Sequence, residues 1–182
     1  MGEIQNMNKE RLVKEAELFK KLDGIYETLT NLHPANTTWR FRHAPFMPQP
    51  PEDSEYAGVE NIAGHMWLTT ELAKLVFHVL PNATQNMDKM TILDMLSLHD
   101  IGEIAHGDVS AYLQLNGYKG NRKEQEDEAF LDIISPLPQE TKALLLKTHT
   151  RYEKEKNNPH TNDKEALFSK IMDTIQGDHN VL

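Results

Sequence analysis

Apolar residues recur at steps of three and four over most of the chain, which is the spacing of one face of an α-helix. In the clearest run, residues 9–32, lysine and glutamate fill the positions between the apolar ones. The same spacing predicts five further helices, at residues 59–80, 88–98 with a continuation to about 105, 122–134, 139–156 and 163–176. No stretch shows the sustained two-residue alternation of a strand. The pattern therefore predicts an all-α fold, a compact bundle of about six or more helices.

A proline-rich segment separates the first helix from the second. Five of the nine prolines fall between residues 33 and 51. Proline lacks an amide donor and fixes its own backbone angle, so neither a helix nor a central strand is expected there. We predict an ordered loop over residues 33–58. No repeat or low-complexity linker divides the chain, and 182 residues is an ordinary domain length, so one domain over residues 1–182 is expected.

The composition narrows the classes of function. Nine histidines and no cysteine mean that any metal would be bound through nitrogen and oxygen, and the lack of cysteine suits a cytoplasmic location. A formal net charge of −9 argues against extended binding to nucleic acid, although a local cationic pocket for one phosphate is allowed. No apolar run approaches the length of a membrane span, and the start carries no secretory signal, so no membrane partner is expected.

The helix predicted at 88–105 ends in an unusually polar run, His99-Asp100-Ile101-Gly102-Glu103. Residues three and four apart share a helix face, so these polar side chains would lie together. Imidazole and carboxylate suit Mn, Fe, Co, Ni or Zn when no thiolate is present. Taken alone, a His-Asp pair is more often a helix-terminal histidine beside a carboxylate than a metal site.

Two more polar residues interrupt apolar helix faces. His65 has mostly apolar neighbours by helical spacing, so it is either a buried, hydrogen-bonded core residue or a ligand that points at a facing helix. Asp173 stands within an apolar stretch of the last helix, where an unpaired buried carboxylate would cost several kcal/mol. One metal ion held by both residues together with His99 and Asp100 would remove this difficulty.

The order of these residues resembles the HD-domain phosphohydrolase superfamily, in which a His on one helix precedes a His-Asp pair on a second and an Asp on a later one. The resemblance covers roughly residues 9–176, and within the superfamily it is closest to small nucleotidases that act on deoxynucleoside 5′-monophosphates. The runs that resemble this branch are His99-Asp100-Ile101-Gly102-Glu103, Gly107-Asp108, Arg151-Tyr152-Glu153 and Lys170-Ile171-Met172-Asp173. The second His-His motif of binuclear relatives does not occur, so one divalent transition metal (Mn, Co, Fe, Ni or Zn) is implied.

The resemblance also implies residue roles. The implied metal ligands are His65, His99, Asp100 and Asp173, which lie on the helices predicted near 59–80, 88–105 and 163–176. Asp100 would take part in catalysis together with Glu103, which would position or deprotonate the attacking water. The implied reaction converts a deoxynucleoside 5′-monophosphate to deoxynucleoside and phosphate by a metal-activated water.

Substrate contacts are implied as well. Asp108 corresponds to a residue at the sugar of the substrate. Relatives contact the phosphate with an arginine near a tryptophan, for which Trp39-Arg40-Phe41-Arg42 offers candidates; we favour Arg40 over Arg42. Trp39 or Phe41 could stack on a base, although a tryptophan at such a junction is more often a packing residue.

Other functions remain open from the sequence. A deoxynucleoside triphosphohydrolase of the phage dATPase type would carry the same residues, and a non-catalytic nucleotide-binding regulator would keep the same fold. A purely structural adaptor would leave Asp173 unexplained. Small members of the branch form homo-oligomers, and the chain ends nine residues after Asp173. We therefore expect a dimer or higher homo-oligomer, with the site near a subunit interface.

Overall fold

Helices make up most of the computed structural model, which describes residues 2–40, 60–105, 107, 122–157 and 162–179. Those residues form seven α-helices and two short 3₁₀ helices, and no β-strand. The α-helices are α1 (Gly2–Leu32), α2 (Ile62–Val79), α3 (Pro81–Thr84), α4 (Lys89–Leu98), α5 (Arg122–Ile134), α6 (Gln139–Asn157) and α7 (Lys164–His179). The 3₁₀ helices are His33–Asn36 and Ile101–Ala105. The all-α prediction is confirmed, and none of the described helices is long and apolar enough to cross a membrane.

Local capping explains where most helices begin and end. The Asn61 side chain accepts a hydrogen bond from the Gly64 amide at 2.7 Å and starts α2. Pro81 follows α2 and opens the short helix α3, because the first turn of a helix does not need its amide. The last helix was predicted to end at residue 176, but α7 continues through Gly177 to His179. The expected loop over residues 33–58 is wrong at its start, where His33–Asn36 forms a 3₁₀ helix; residues 41–59 lie outside the described residues.

The predicted continuation of α4 to residue 105 is wrong. The α-helix ends at Leu98, and a tighter 3₁₀ helix follows from Ile101 to Ala105. His99 and Glu103 therefore do not stack on one α-helix. Gly107 ends this segment: its amide donates to the Glu103 carbonyl at 2.7 Å, and its φ of 78° lies in the left-handed region that favours glycine.

The apolar core has three parts that surround one polar centre. The first part joins α2, α4 and α7 through Ala73, Phe77, Ile92, Leu96 and Met172. The second packs the 3₁₀ helix after α4 against α5 through Ile101, Phe130, Ile133 and Ile134. The third holds Tyr152 of α6 against Met95 and Ala166. Helix α6 is also tied to the start of α7, because Arg151 binds the Asp163 carboxylate with two hydrogen bonds at 2.7 and 2.8 Å.

The packing of the second 3₁₀ helix leads to a stability prediction. A Cβ at Gly102 would lie 2.5 Å from the Glu126 carbonyl oxygen of α5, which is too close for two rigid backbones. Gly102→Ala should lower the free energy of unfolding in urea by about 1–3 kcal/mol. Gly177→Ala is the matched control: its Cβ would meet nothing within 4 Å inside α7, so a gain of about 0.5–1 kcal/mol is expected. Equal stability of the two variants would contradict this close approach.

Candidate metal centre

The four residues expected to bind a metal meet at one point between α2, the end of α4 and α7. The Nε2 atoms of His65 and His99 lie 3.0 Å apart. Asp100 Oδ2 lies 3.3 Å from His99 Nε2 and 3.5 Å from His65 Nε2. Asp173 Oδ1 lies 3.0 Å from His65 Nε2 and 3.5 Å from His99 Nε2. All four side chains are buried.

Neighbouring groups determine which nitrogen of each imidazole carries its proton. His99 Nδ1 lies 2.8 Å from the Leu96 carbonyl oxygen and therefore donates to it. His65 Nδ1 faces two acceptors, the Gln176 side-chain oxygen and Glu60 Oε2, the latter at 3.3 Å. When each Nδ1 donates in this way, the neutral imidazole leaves the Nε2 lone pair facing the centre, which is the arrangement of a metal-binding histidine.

This arrangement fits a cation better than it fits an empty polar core. His65, His99 and Asp100 each offer one ligand atom, and these atoms lie within 4.8 Å of one another. Two imidazole lone pairs and two carboxylates repel one another unless a positive charge lies between them. The pKa of His65 also shows that the centre favours a positive charge. Burial lowers this pKa, but hydrogen bonds with Asp173 and Glu60 outweigh burial and raise it to about 9. Nitrogen and oxygen donors of this kind suit a divalent transition metal.

Asp173 Oδ2 is held by side chains of two helices. It accepts hydrogen bonds from the Tyr152 hydroxyl of α6 at 2.7 Å and from Lys170 Nζ, one turn earlier on α7, at 2.6 Å. Burial and the Asp173 charge raise the pKa of Tyr152 well above its usual value, so the phenol remains a donor. One carboxylate oxygen is thus fixed by the protein while the other, Oδ1, faces the two imidazoles.

Arg40 lies beside the centre because a short antiparallel backbone pairing fixes the segment before it. The Arg40 amide donates to the Glu60 carbonyl at 2.9 Å, and the Ile62 amide donates to the Thr38 carbonyl at 3.0 Å. The guanidinium lies 3.7 Å from Glu60 Oε2 and 3.9 Å from Asp100 Oδ2. Burial alone would raise the pKa of Asp100, but His99 and Arg40 lower it to about 2. Asp100 therefore carries its negative charge.

The other expected substrate residues are placed only in part. Trp39 precedes Arg40 and is partly buried. Its backbone pairs with that of Asn61, and this pairing fixes the backbone position of Arg40. Contact between the Trp39 ring and a base stays a prediction. Asp108 follows Gly107 directly but lies outside the described residues, as does Arg42.

Glu103 is buried and shares a cation with Asp100. Its amide donates to the Asp100 carbonyl at 3.0 Å, so the two residues belong to one tight turn. Lys156, at the end of α6, is the shared cation: burial lowers its pKa, but Asp100, Glu153, Glu103 and Glu126 together raise it. Its Nζ lies 3.8 Å from Glu153 Oε1.

Four residues that support the centre were not predicted from the sequence. They are Glu60, Gln176, Lys170 and Lys156. For two of them a signal was present: Lys170 and Gln176 lie three residues before and after Asp173, and therefore on its helix face. For Glu60 and Lys156 no such signal existed, because their contacts join parts of the chain that are distant in sequence.

The hydrogen bonds around His65 allow a test of the metal site that does not depend on activity. Gln176 accepts from His65 Nδ1 and donates from its Nε2 to Glu60 Oε1 at 2.7 Å. Gln176→Leu removes both contacts, so the affinity for Mn²⁺ or Co²⁺ in an equilibrium titration should fall about 10–100-fold. Thr174→Ala, on an exposed part of the same helix, is the control and should leave the affinity unchanged. An unaltered affinity in Gln176→Leu would show that this residue does not orient His65.

Together, an all-α bundle and a buried centre of two histidines and two aspartates from three helices define a class of helical metal-binding domain. The family model for the HD domain matches residues 53–178, so this chain belongs to the HD-domain family. Residues 1–52 lie outside that match, and the single domain over residues 1–182 stays a prediction.

Solved structures share this fold. A Magnetospirillum magnetotacticum protein described as a "Predicted metal-dependent phosphohydrolase" superposes with a TM-score of 0.63 at 20% identity, over 88% of this chain and 70% of its own. A conserved hypothetical protein from Pyrococcus furiosus superposes with a TM-score of 0.61 at 18% identity, over 83% of this chain and 76% of its own. The comparison with curated proteins gives no match.

Proposed function

We propose that this protein is a metal-dependent phosphohydrolase that converts deoxynucleoside 5′-monophosphates to deoxynucleoside and inorganic phosphate. The observation that carries the proposal is the convergence of both histidine Nε2 atoms with Asp100 and Asp173 in one buried centre. These residues would hold one divalent transition metal. The Magnetospirillum protein of similar fold is described as a predicted metal-dependent phosphohydrolase, which supports the same class of activity here. The resemblance of the His99–Glu103 run to the nucleotidase branch supports the nucleotide substrate.

Bound there, a divalent ion supplies Lewis acidity and lowers the pKa of a coordinated water. The protein must supply the rest, starting with attraction of an anionic substrate to a chain of net charge −9. Arg40 meets that need, since a guanidinium can contact two phosphate oxygens at once. Lys156 adds a second positive charge near Asp100.

Glu103 would take the role of orienting the attacking water and accepting its proton. Its buried position, one turn after Asp100, places a carboxylate in a segment that is rigidly packed against α5. General bases of this kind typically contribute a factor of about 10²–10⁴ to the rate. Asp108 and Trp39 are the proposed contacts for the sugar and the base.

The proposed function is tested with a panel of ribo- and deoxynucleoside mono- and triphosphates, each against Mn, Co, Fe, Ni and Zn, with products separated by anion-exchange chromatography. Deoxynucleoside and phosphate from the monophosphates are the expected products. Release of intact triphosphate from a deoxynucleoside triphosphate would show that the protein is a deoxynucleoside triphosphohydrolase instead. If no nucleotide is cleaved with any metal while the protein binds the nucleotide, the non-catalytic regulator is correct.

A further inference from the structure

Helix α1 carries a long apolar surface that the described part of the protein leaves exposed. Eight large apolar side chains of this helix are 47–75% exposed. They are Leu12, Val13, Leu18, Phe19, Leu22, Ile25, Tyr26 and Leu29. The spacing of three and four predicted an amphipathic helix, and a helix of that kind ordinarily turns its apolar stripe to the core.

In this structure α1 contacts the rest of the protein with its opposite side. Within residues 9–32 of this helix, Gly24 and Thr28 are the two buried residues, and Gly24 allows the Pro136 carbonyl before α6 to approach the helix backbone. At 3.6 residues per turn, Gly24 and Thr28 lie across the helix from Phe19 and Tyr26. The apolar stripe therefore faces away from the described bundle, and residues 9–23 are exposed on every side.

An isolated helix in this state would not persist in water, because helices in proteins depend on burial of their apolar face. The stripe also exceeds the scattered exposed leucines that are normal on a protein surface. Val13 lies on the side of Gly24 and is left out. From the usual 1.5–3 kcal/mol per buried apolar side chain at about 25 cal/mol per Å², the other seven partly exposed side chains offer roughly 250–500 Å² of apolar surface. A standard interface takes about 800 Å² per partner, of which somewhat more than half is apolar. The area fits one such interface.

The spacing of the stripe fits a second helix of the same kind. Phe19, Leu22, Tyr26 and Leu29 alternate by three and four residues, and Leu12 lies seven before Phe19, which is the spacing of the a and d positions of a helix pair. Glu15, at the d position between Leu12 and Phe19, is the one polar residue of this series. Charge is divided along the helix. Residues 9–14 carry three basic side chains and one acidic, whereas residues 23–27 carry two acidic and none basic. In the antiparallel register that places Leu12 beside Leu29, Lys14 lies opposite Glu27, and the two helix dipoles oppose each other.

We propose that two copies of this chain associate through an antiparallel pairing of their α1 helices along the stripe Leu12, Phe19, Leu22, Tyr26 and Leu29. A two-fold axis then passes near residues 20 and 21, so that Leu12 of one copy lies beside Leu29 of the other. The pairing is independent of the proposed reaction. Because α1 leads through the first 3₁₀ helix to Arg40, the pair also anchors the segment that carries this arginine to the metal centre.

Oligomeric mass is the first test, measured on the full chain by light scattering at several protein concentrations. The wild type should be a dimer, and Phe19→Glu with Leu22→Glu should be a folded monomer whose helical circular dichroism is largely kept. Lys20→Glu, on the polar side of the same helix, is the control and should remain a dimer. A monomeric wild type at every concentration would overturn the proposal.

Cysteine cross-linking tests the direction of the pair, because the chain has no cysteine of its own. Leu12→Cys and Leu29→Cys proteins, mixed and oxidised, should form the mixed disulfide. Leu12→Cys alone should form none, since an antiparallel pair separates the two positions by about 26 Å, far beyond disulfide reach. A disulfide between two Leu12→Cys chains would show a parallel pair and overturn the antiparallel arrangement.

Discussion

His99→Ala should remove both the bound metal and the phosphohydrolase activity. His99 offers its Nε2 to the centre 3.0 Å from that of His65, and its loss leaves three donors in a buried site that already carries two negative charges. We expect kcat to fall at least about a thousandfold, equivalent to about 4 kcal/mol. Elemental analysis after loading and desalting should find the metal content reduced in the same variant, as it should for His65→Ala and Asp100→Ala.

His78→Ala is the matched control for the histidine variants. His78 lies on α2 as His65 does, but it is exposed near the end of the helix. Both the metal content and kcat should equal those of the wild type. If His99→Ala kept a full complement of metal and the wild-type kcat, the centre described here would not be the catalytic site.

The polar residues of the centre could be recognised in the sequence because each one conflicts with its surroundings. A carboxylate in an apolar stretch, as at Asp173, and a histidine among apolar neighbours, as at His65, both require a partner when buried. The structure brings these residues together with His99 and Asp100. The order of these residues along the chain was sufficient to predict the HD-domain family. Their roles as metal ligands stay predictions.

The surroundings of the centre could not be predicted in the same way. The change from α-helix to 3₁₀ helix after Leu98 depends on the contact of Gly102 with the Glu126 carbonyl, which joins residues far apart in sequence. The contact of Glu60 with Gln176 spans an even longer separation. Periodicity also predicted the amphipathic character of α1 but not the direction in which its apolar side points, since that direction depends on what packs against Gly24.

Glu103→Gln should separate catalysis from metal binding. Glutamine keeps the size of the buried side chain and removes its negative charge and its ability to accept a proton. We expect kcat to fall about 10²–10⁴-fold, as is usual for loss of a general base. The metal content should stay at the wild-type level, in contrast to His99→Ala, because the proposed ligand atoms belong to His65, His99, Asp100 and Asp173.

Glu128→Gln, an exposed residue of α5, provides the control for loss of one carboxylate and should leave kcat unchanged. The pH profile gives a readout that a structural role of Glu103 would not alter. If Glu103 accepts the proton, the rise of kcat with pH on the acidic side should be absent in Glu103→Gln. A variant that lost its metal would instead identify Glu103 as a ligand. A fall in kcat with the acidic limb intact would assign that limb to a group other than Glu103.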